Sequence, residues 1–184
     1  MRGLLAFAFV CALAMGALPA AAEDAAPPAG YRLDHYRGAV PHEVPGGTAI
    51  DTDRAAELWR AHGALFVDVL RAPRRPEGLP PDALWKPVPR NDIPGSLWLP
   101  DVGLGALEPA LDTWFREQLL RAMHGDRSAP VVFYCLADCW MSWNATKRAA
   151  SYGLTRLYWY RDGTTGWEER HLPTEEATPA PGRP

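Results

Sequence analysis

The pattern of apolar and polar positions predicts helices that alternate with buried strands. Nearly continuous apolar runs are typical of strands buried on both faces of a parallel sheet. Strands are expected at residues 48–50, 64–69, 96–99, 130–134 and 156–160. Apolar residues also recur at helical spacing over residues 52–62, 109–124 and 142–152. A glycine follows each of these stretches, as is typical of a helix end. This alternation predicts a single α/β domain with a mainly parallel sheet flanked by helices.

Three stretches lack such a pattern. Seven prolines within residues 70–95 exclude both a helix and a central strand, so a long Pro-rich loop insertion is expected there. Residues 23–47 are predicted to be irregular. Residues 173–184 are rich in Pro, Ala, Thr and Glu, which predicts a disordered tail. The folded domain is therefore expected over residues 48–172.

The first 22 residues have the pattern of a signal peptide. Arg2 precedes an almost uncharged apolar run over residues 4–18, and small residues at 20–22 precede the first acidic side chains. The run is shorter than the roughly 20 apolar residues of a membrane-spanning helix. No second run is long enough, so we expect export to the periplasm, cleavage, and no membrane span in the mature protein.

Charge and cysteine content narrow the function further. The formal net charge is −3 and no basic block or stripe occurs, which argues against nucleic-acid binding. Cys11 would leave with the signal peptide. Cys135 and Cys139 then remain as an even pair in an oxidising compartment.

The two cysteines lie where a buried strand runs into a helix. Free backbone N–H groups and the helix dipole at such a place favour thiolate, so Cys135 is expected to be a nucleophile or a metal ligand. Asp138 opposes this effect, because a neighbouring carboxylate raises the pKa of a thiol. A disulfide to Cys139 would close a small ring and contribute only about 2 kcal/mol. A reversible dithiol or a pair of soft-metal ligands uses the pair better, and a plain stabilising disulfide is the alternative.

Four motifs occur in the order found in rhodanese domains. They are Phe-Val-Asp-Val at residues 66–69, Ile-Pro-Gly-Ser-Leu-Trp-Leu-Pro at 93–100, Val-Val-Phe-Tyr-Cys at 131–135 and Asp-Gly-Thr-Thr-Gly-Trp at 162–167. The chain thus resembles a rhodanese-like domain over about residues 48–167. Residues 133–143 are also similar to a small family named after its Cys-x-x-x-Cys-Trp motif. That resemblance implies an exported accessory protein of PQQ-dependent alcohol catabolism, encoded beside PQQ-dependent dehydrogenases and alcohol-related transport systems.

Departures from the rhodanese pattern argue against sulfurtransfer. Rhodaneses carry Cys-x-x-Gly-x-Arg, and here Asp138 stands at the glycine position and Trp140 at the arginine position. Thiosulfate is a dianion, so its binding requires cations to fold over the loop. Arg71, Arg74 and Arg75 are expected to supply such an anion or partner clamp, or else to lie on a solvated loop.

Other side chains are assigned by their place beside the loop. Leu136, Ala137, Trp140, Trp143 and Trp167 are expected to belong to the loop or its pocket. The three tryptophans either offer a flat wall for a quinone-like ring or pack in an ordinary core. Asp68 is expected to orient the loop through backbone N–H groups, or simply to cap the next turn. No metal ligand set is assigned, since the five histidines share no ligand spacing.

The leading hypothesis is a periplasmic accessory protein of PQQ-linked alcohol oxidation with a redox or cofactor-binding loop. Cys135 acts as nucleophile or ligand, and Cys139 as resolving thiol or second ligand. The expected partner is a PQQ-dependent dehydrogenase or an associated transport or electron-transfer protein. The alternatives are a thiosulfate or persulfide sulfurtransferase using Cys135, and a non-catalytic partner- or copper-binding module. The cofactor is correspondingly none, PQQ-related, or copper.

Overall fold

A computed structural model describes residues 25–184, so the predicted signal peptide lies outside the described part of the chain. The elements in chain order are β1 (Thr48–Ile50), α1 (Thr52–Arg60), β2 (Leu65–Asp68), β3 (Asn91–Asp92), β4 (Leu97–Trp98), α2 (Pro109–Ala122), β5 (Val131–Tyr134), α3 (Trp140–Ser151), β6 (Leu157–Tyr160), α4 (Gly163–Glu169) and β7 (Glu175–Glu176).

Local signals explain where the helices begin. The Asp51 carboxylate caps α1 by accepting the Arg54 N–H at 2.8 Å. α2 begins at Pro109, whose fixed φ suits a first helical residue. Cys139, in an extended conformation, is the N-cap of α3.

Five strands form a parallel sheet in the order β1-β6-β5-β2-β4. Alternate residues of the central strand β5 pack on opposite faces. Val131 and Phe133 share a core cluster with α2 and α3, whereas Val132 and Tyr134 share one with α1 and Trp167. The predicted fold class is confirmed: this is an α/β domain with a mainly parallel sheet flanked by helices.

The C-terminal tail is ordered, so the prediction of disorder is wrong. β7 pairs antiparallel with β3, and Ala180 is buried. The Trp114 indole N–H donates to the Pro181 carbonyl at 3.1 Å, and the Ala180 N–H donates to the Trp98 carbonyl at 2.9 Å. The tail's own composition supplies little apolar surface. The domain supplies it instead, because the tail packs against Trp98 and Trp114 and its strand β7 pairs with β3.

The structure differs from the predicted loop at residues 70–95, and it adds a helix at residues 163–169. β3 lies inside the Pro-rich loop and forms the second, two-stranded sheet with β7. The stretch around Trp167 is helical as α4. Within residues 25–184, no helix is both long and apolar enough to cross a bilayer.

Candidate functional site

The cysteine loop, residues 135–139, follows β5 at the carboxyl edge of the sheet and leads into α3. The first turn of α4 holds it. The Thr164 N–H donates to the Cys135 carbonyl at 3.0 Å, and the Ala137 N–H donates to Thr165 Oγ1 at 3.2 Å. Gly163 has φ +53, and a Cβ there would lie 2.4 Å from the Cys135 carbonyl oxygen. Glycine is therefore required where the two loops meet.

Asp138 has φ +51, a left-handed conformation. It stands where the rhodanese pattern has glycine, and aspartate is one of the few other residues that adopts this conformation routinely. The loop can therefore keep its backbone path while presenting an exposed carboxylate in place of a bare glycine.

Both thiols of the loop are buried and free, with exposures of 0% for Cys135 and 1% for Cys139. The Cys135 thiol lies 3.6 Å from the Cys139 carbonyl oxygen, and the two thiols are close enough to shift each other's pKa values. The Cys135 thiol also lies 3.2 Å from Ser142 Oγ, which accepts a hydrogen bond from the Trp159 indole N–H at 2.9 Å. The pair is thus embedded in a short buried network that includes Ser142 and Trp159.

The pKa values of the two thiols differ in direction. The Cys135 thiol lowers the pKa of Cys139 to about 6, assisted by the Met141 N–H, the charge of Arg37 and the Leu136 N–H. Burial raises the pKa of the Cys135 thiol well above its ordinary value, and the adjacent Cys139 raises it further. These directions favour Cys139 over Cys135 as the thiolate. α3 begins directly after Cys139, so the helix N-terminus favours that sulfur.

A segment from the N-terminal region lies against the cysteine loop. We call residues 33–39 the strap. Arg37 forms an isolated antiparallel bridge with Cys139. The Trp140 N–H donates to the Tyr36 carbonyl and the Gly38 N–H to the Asp138 carbonyl, both at 2.9 Å. The Arg37 guanidinium donates to the Ala137 carbonyl at 2.7 Å.

Asp68 acts on the loop through intermediates. Its Oδ1 accepts the Leu70 N–H at 2.8 Å, which is the simple turn cap considered as an alternative. Its Oδ2 lies 2.7 Å from Arg90 Nε, and Arg90 Nη2 donates to Thr164 Oγ1 at 3.1 Å. Thr164 in turn holds the Cys135 carbonyl. The predicted direct bond from Asp68 to the loop N–H groups is not formed, because Arg90 takes that oxygen.

The three tryptophans expected to line a pocket are core residues. Trp140 and Trp143 pack edge to face at 5.4 Å, in one cluster with Val40 and Val44 of the N-terminal region. Trp167 is fully buried, and its indole N–H donates to the Pro173 carbonyl. None of them borders the cleft beside the cysteine loop. Burial of their large apolar area against the N-terminal region and α1 removes the proposed aromatic wall.

The three arginines proposed as an anion clamp are engaged elsewhere. Arg71 and Arg74 bind the buried carboxylate of Asp101, which also binds Arg183 of the tail. Arg75 donates to main-chain carbonyls of its own loop, those of Pro80 and Ala83. The clamp is not formed, because the buried Asp101 carboxylate and carbonyls of the loop itself hold these guanidinium groups.

A cleft of about 290 Å³ adjoins the loop at Ala137. Its charged side chains are mainly acidic: Asp51, Asp53, Asp162 and Glu169, with Arg170 paired to Asp53. PQQ carries three carboxylates, so this cleft does not fit it. Within residues 25–184, no group of three or more His, Cys, Asp or Glu side chains is placed to hold a metal ion.

Sequence reasoning missed several residues that support the loop. Ser142 carried a signal, since it lies one helical turn after Cys139 among aromatic neighbours. The threonines at 164 and 165 stood inside the recognised closing motif. Arg37 and Arg90 carried none, because their contacts depend on how distant segments fold together.

Solved structures similar to this chain include EanB in complex with hercynine, at 21% identity over 71% of this chain and 32% of that one, with a TM-score of 0.48. The polysulfide-sulfur transferase homodimer from Wolinella succinogenes matches at 19% identity over 72% of this chain and 81% of that one, with a TM-score of 0.43. A rhodanese-like domain from Anabaena sp. matches at 16% identity over 73% of this chain and 86% of that one, with a TM-score of 0.44.

This chain spans about a third of the length of the EanB chain. At these identities and TM-scores the likeness concerns the fold alone. No family model and no curated protein matches the chain.

Proposed function

We propose that the protein is a dithiol–disulfide exchange protein that serves PQQ-dependent alcohol oxidation in the periplasm. The observation that carries the exchange chemistry is the buried pair of free thiols, whose pKa values are shifted in opposite directions. Cys139 has its pKa lowered to about 6, and Cys135 is fully buried beside it. A thiolate with a second thiol in contact is the arrangement that disulfide exchange requires.

The opposite pKa directions and the burial of the two thiols support a division of roles. The Cys139 thiolate attacks one sulfur of a substrate disulfide, forming a mixed disulfide and releasing the other sulfur as a thiolate that takes up a proton. Cys135 then loses its proton and attacks Cys139 Sγ, which breaks the mixed disulfide and releases the second substrate thiolate. The protein dithiol is oxidised to a disulfide and the substrate disulfide is reduced to two thiols. The reverse sequence oxidises a substrate dithiol.

The setting of this chemistry rests on the sequence. The Cys-x-x-x-Cys-Trp resemblance supports a role beside a PQQ-dependent dehydrogenase or its transport or electron-transfer partners, and the signal-peptide pattern supports a periplasmic location. The acidic cleft disfavours PQQ as a ligand of this chain. We therefore propose that the protein acts on thiols or disulfides of a partner protein in that system.

Sulfurtransfer from thiosulfate is the competing function on this fold. The exposed Asp138 and the acidic cleft repel a dianionic donor, and Arg71 and Arg74 are bound to Asp101. Sulfur transfer from thiosulfate to cyanide that is lost in Cys135→Ser and retained in Cys139→Ser would overturn our proposal in favour of a sulfurtransferase.

A redox titration tests the proposal. The exported protein is equilibrated in glutathione buffers of known potential, and the fraction of alkylated Cys135 and Cys139 is read by peptide mass spectrometry. We expect one two-electron transition above about −300 mV, since structural disulfides lie below that value. Each single cysteine-to-serine variant, the matched control, should lose the intramolecular transition. A pair that stays oxidised far below this potential is a structural disulfide and contradicts the proposal.

A further inference from the structure

The thiol pair has to be uncovered before it can react with a partner. Neither sulfur-bearing residue exposes more than 1% of its surface. The strap lies against the loop on the Cys139 side, bonded to the backbone on both sides of that residue. Access to Cys139 therefore requires either that the strap leave or that the loop unfold.

The strap is fixed at its ends and held between them by hydrogen bonds. On its N-terminal side, the Asn144 side chain bonds both the N–H and the carbonyl of Arg32, at 2.9 and 2.8 Å. On its C-terminal side, Val40 is buried in the core. Between these anchors most of its residues are exposed, including Leu33 at 66%. Its opening would leave the buried Val40 in place but would release Tyr36, which packs against the core.

Two backbone positions are suited to act as hinges. His35 has φ +43, and Gly38 has φ +138 with open space where a Cβ would lie. A positive φ is uncommon for a non-glycine residue such as His35. Hinges are typically a few loop residues that absorb a large change in φ and ψ. The Tyr36 hydroxyl latches the segment by donating to the Leu33 carbonyl at 2.7 Å and accepting the Gly105 N–H at 3.0 Å.

The strap's bonding pattern defines what can replace it. The Tyr36 carbonyl and the Gly38 N–H bond the loop on either side of the facing pair Arg37 and Cys139, as in an antiparallel ladder. These groups belong to the main chain, so any extended polypeptide offers the same donor and acceptor. A facing pair of this non-hydrogen-bonded kind has Cα atoms about 4.5 Å apart. A disulfide spans Cα separations of about 4.4–6.8 Å.

We propose that the strap is a lid that occupies the binding site of an extended polypeptide, and that the partner places a half-cystine opposite Cys139, where Arg37 now lies. This inference names the substrate class of the proposed exchange reaction and so rests on it. The mixed disulfide between Cys139 and the partner then forms across the ladder without displacement of the loop. Cys135, on the buried side, is left to resolve it.

Opening of the lid is tested in Gly38→Pro, which removes the N–H bonded to Asp138 and cannot adopt φ +138. We expect iodoacetamide to alkylate Cys139 at least about tenfold faster than in the wild type. Gly78→Pro is the matched control, since Gly78 also has positive φ and open space but lies in the Pro-rich loop. Tyr36→Phe, which keeps the backbone, should give a smaller increase in the same direction. Equal alkylation rates in all four proteins overturn the lid.

The occupant is tested with a heptapeptide of the strap sequence that carries cysteine in place of Arg37, activated as a 2-thiopyridyl disulfide. It should form the mixed disulfide with Cys139 of the Gly38→Pro protein about tenfold faster than the same peptide with N-methylglycine in place of its glycine. Equal rates for the two peptides overturn the extended-polypeptide site. Both readouts are rates at Cys139, so they hold even where the redox titration contradicts disulfide exchange.

Discussion

Cys139 and Cys135 lie four residues apart, and their surroundings make them chemically different. Cys139 is the N-cap of α3, and the Cys135 thiol and the N–H groups of Met141 and Leu136 lower its pKa. Cys135 lies at the end of a strand buried on both faces, where a negative charge has little solvation. In the proposed exchange reaction, this asymmetry separates the attacking sulfur from the resolving one.

This asymmetry predicts the pH profile of thiol alkylation. The rate at Cys139 should rise with a midpoint near pH 6, because the folded protein holds its pKa at about 6. Cys135→Ala removes the largest contribution to that lowering, so the midpoint should move up by about one pH unit or more. Arg37→Gln, which removes a smaller contribution, should move it less. A midpoint unchanged in Cys135→Ala contradicts the role of the Cys135 thiol.

Asp92 gives a second residue-scale prediction. Burial, then the charge of Asp68, raises the pKa of Asp92 to about 7, and its Oδ2 has no hydrogen-bond partner in the described structure. Glu175 also raises this pKa, and Arg90 opposes it. Because the folded state favours the protonated carboxyl, its contribution to stability is fully present below about pH 4. That contribution is lost as the pH rises through 7.

Asp92→Asn should therefore remove this pH dependence. The amide is close in shape to the protonated carboxyl, so the variant should be more stable than the wild type above pH 7, by roughly 2–4 kcal/mol. Urea unfolding between pH 4 and pH 8 measures the effect. Asp82→Asn, at an exposed loop position, is the control and should keep the wild-type slope. If the free energy of unfolding of Asp92→Asn depended on pH as steeply as that of the wild type, the pH dependence would not come from Asp92.

At the scale of elements, one buried ion pair joins three parts of the fold. Asp68 ends β2, Arg90 precedes β3, and Thr164 lies in the first turn of α4 and holds the cysteine loop. The Asp68 and Arg90 side chains are 0% and 11% exposed. The position of the loop is thus coupled to a charge pair on the neighbouring strand.

Arg90→Met should destabilise the protein by about 3 kcal/mol or more, because it leaves the Asp68 carboxylate buried and unpaired. The double variant Asp68→Asn with Arg90→Met should lose less than the sum of the two single variants. Urea denaturation provides all four free energies of unfolding. Arg54→Met, which breaks an exposed pair with Glu57, is the control and should change stability little. Additive losses would show that the pair does not act as a unit.

The main helices and strands were predictable because their signal is local. The apolar run that became β5 and the proline that begins α2 act within a few residues of themselves. The cysteine loop was predictable for the same reason. Arg37, by contrast, meets Ala137 across 100 residues, and nothing in its own neighbourhood indicates this. The pKa order of the cysteines also depended on which residue begins α3, and helix boundaries are poorly defined by periodicity.

At the scale of the whole molecule, segments from both termini are part of the folded unit. The N-terminal segment lies against the cysteine loop and the core tryptophans, and the tail covers Trp98 and Trp114. Asp101, whose carboxylate is 1% exposed, binds arginines from the Pro-rich loop and from the tail. The domain is therefore larger than the range bounded by its regular elements.

Truncation after Ala177 tests this view. It removes the tail residues that pair with Trp98, bond Trp114 and bind Asp101, so the free energy of unfolding should fall by about 2 kcal/mol or more. Removal of the exposed Pro184 alone is the control and should leave stability unchanged. Urea denaturation of the two shortened proteins gives the comparison. A truncated protein as stable as the full chain would contradict this view and would support the disorder predicted from the composition of the tail.

The buried contact from Trp159 through Ser142 to Cys135 has an optical consequence. Thiolates and disulfides quench excited indole rings, and Trp159 lies one hydroxyl group away from the sulfur pair. Oxidation of the pair and opening of the strap should each change the emission of this tryptophan. The native chain thereby carries its own unlabelled fluorophore, with which exchange at the loop can be followed in real time by stopped flow.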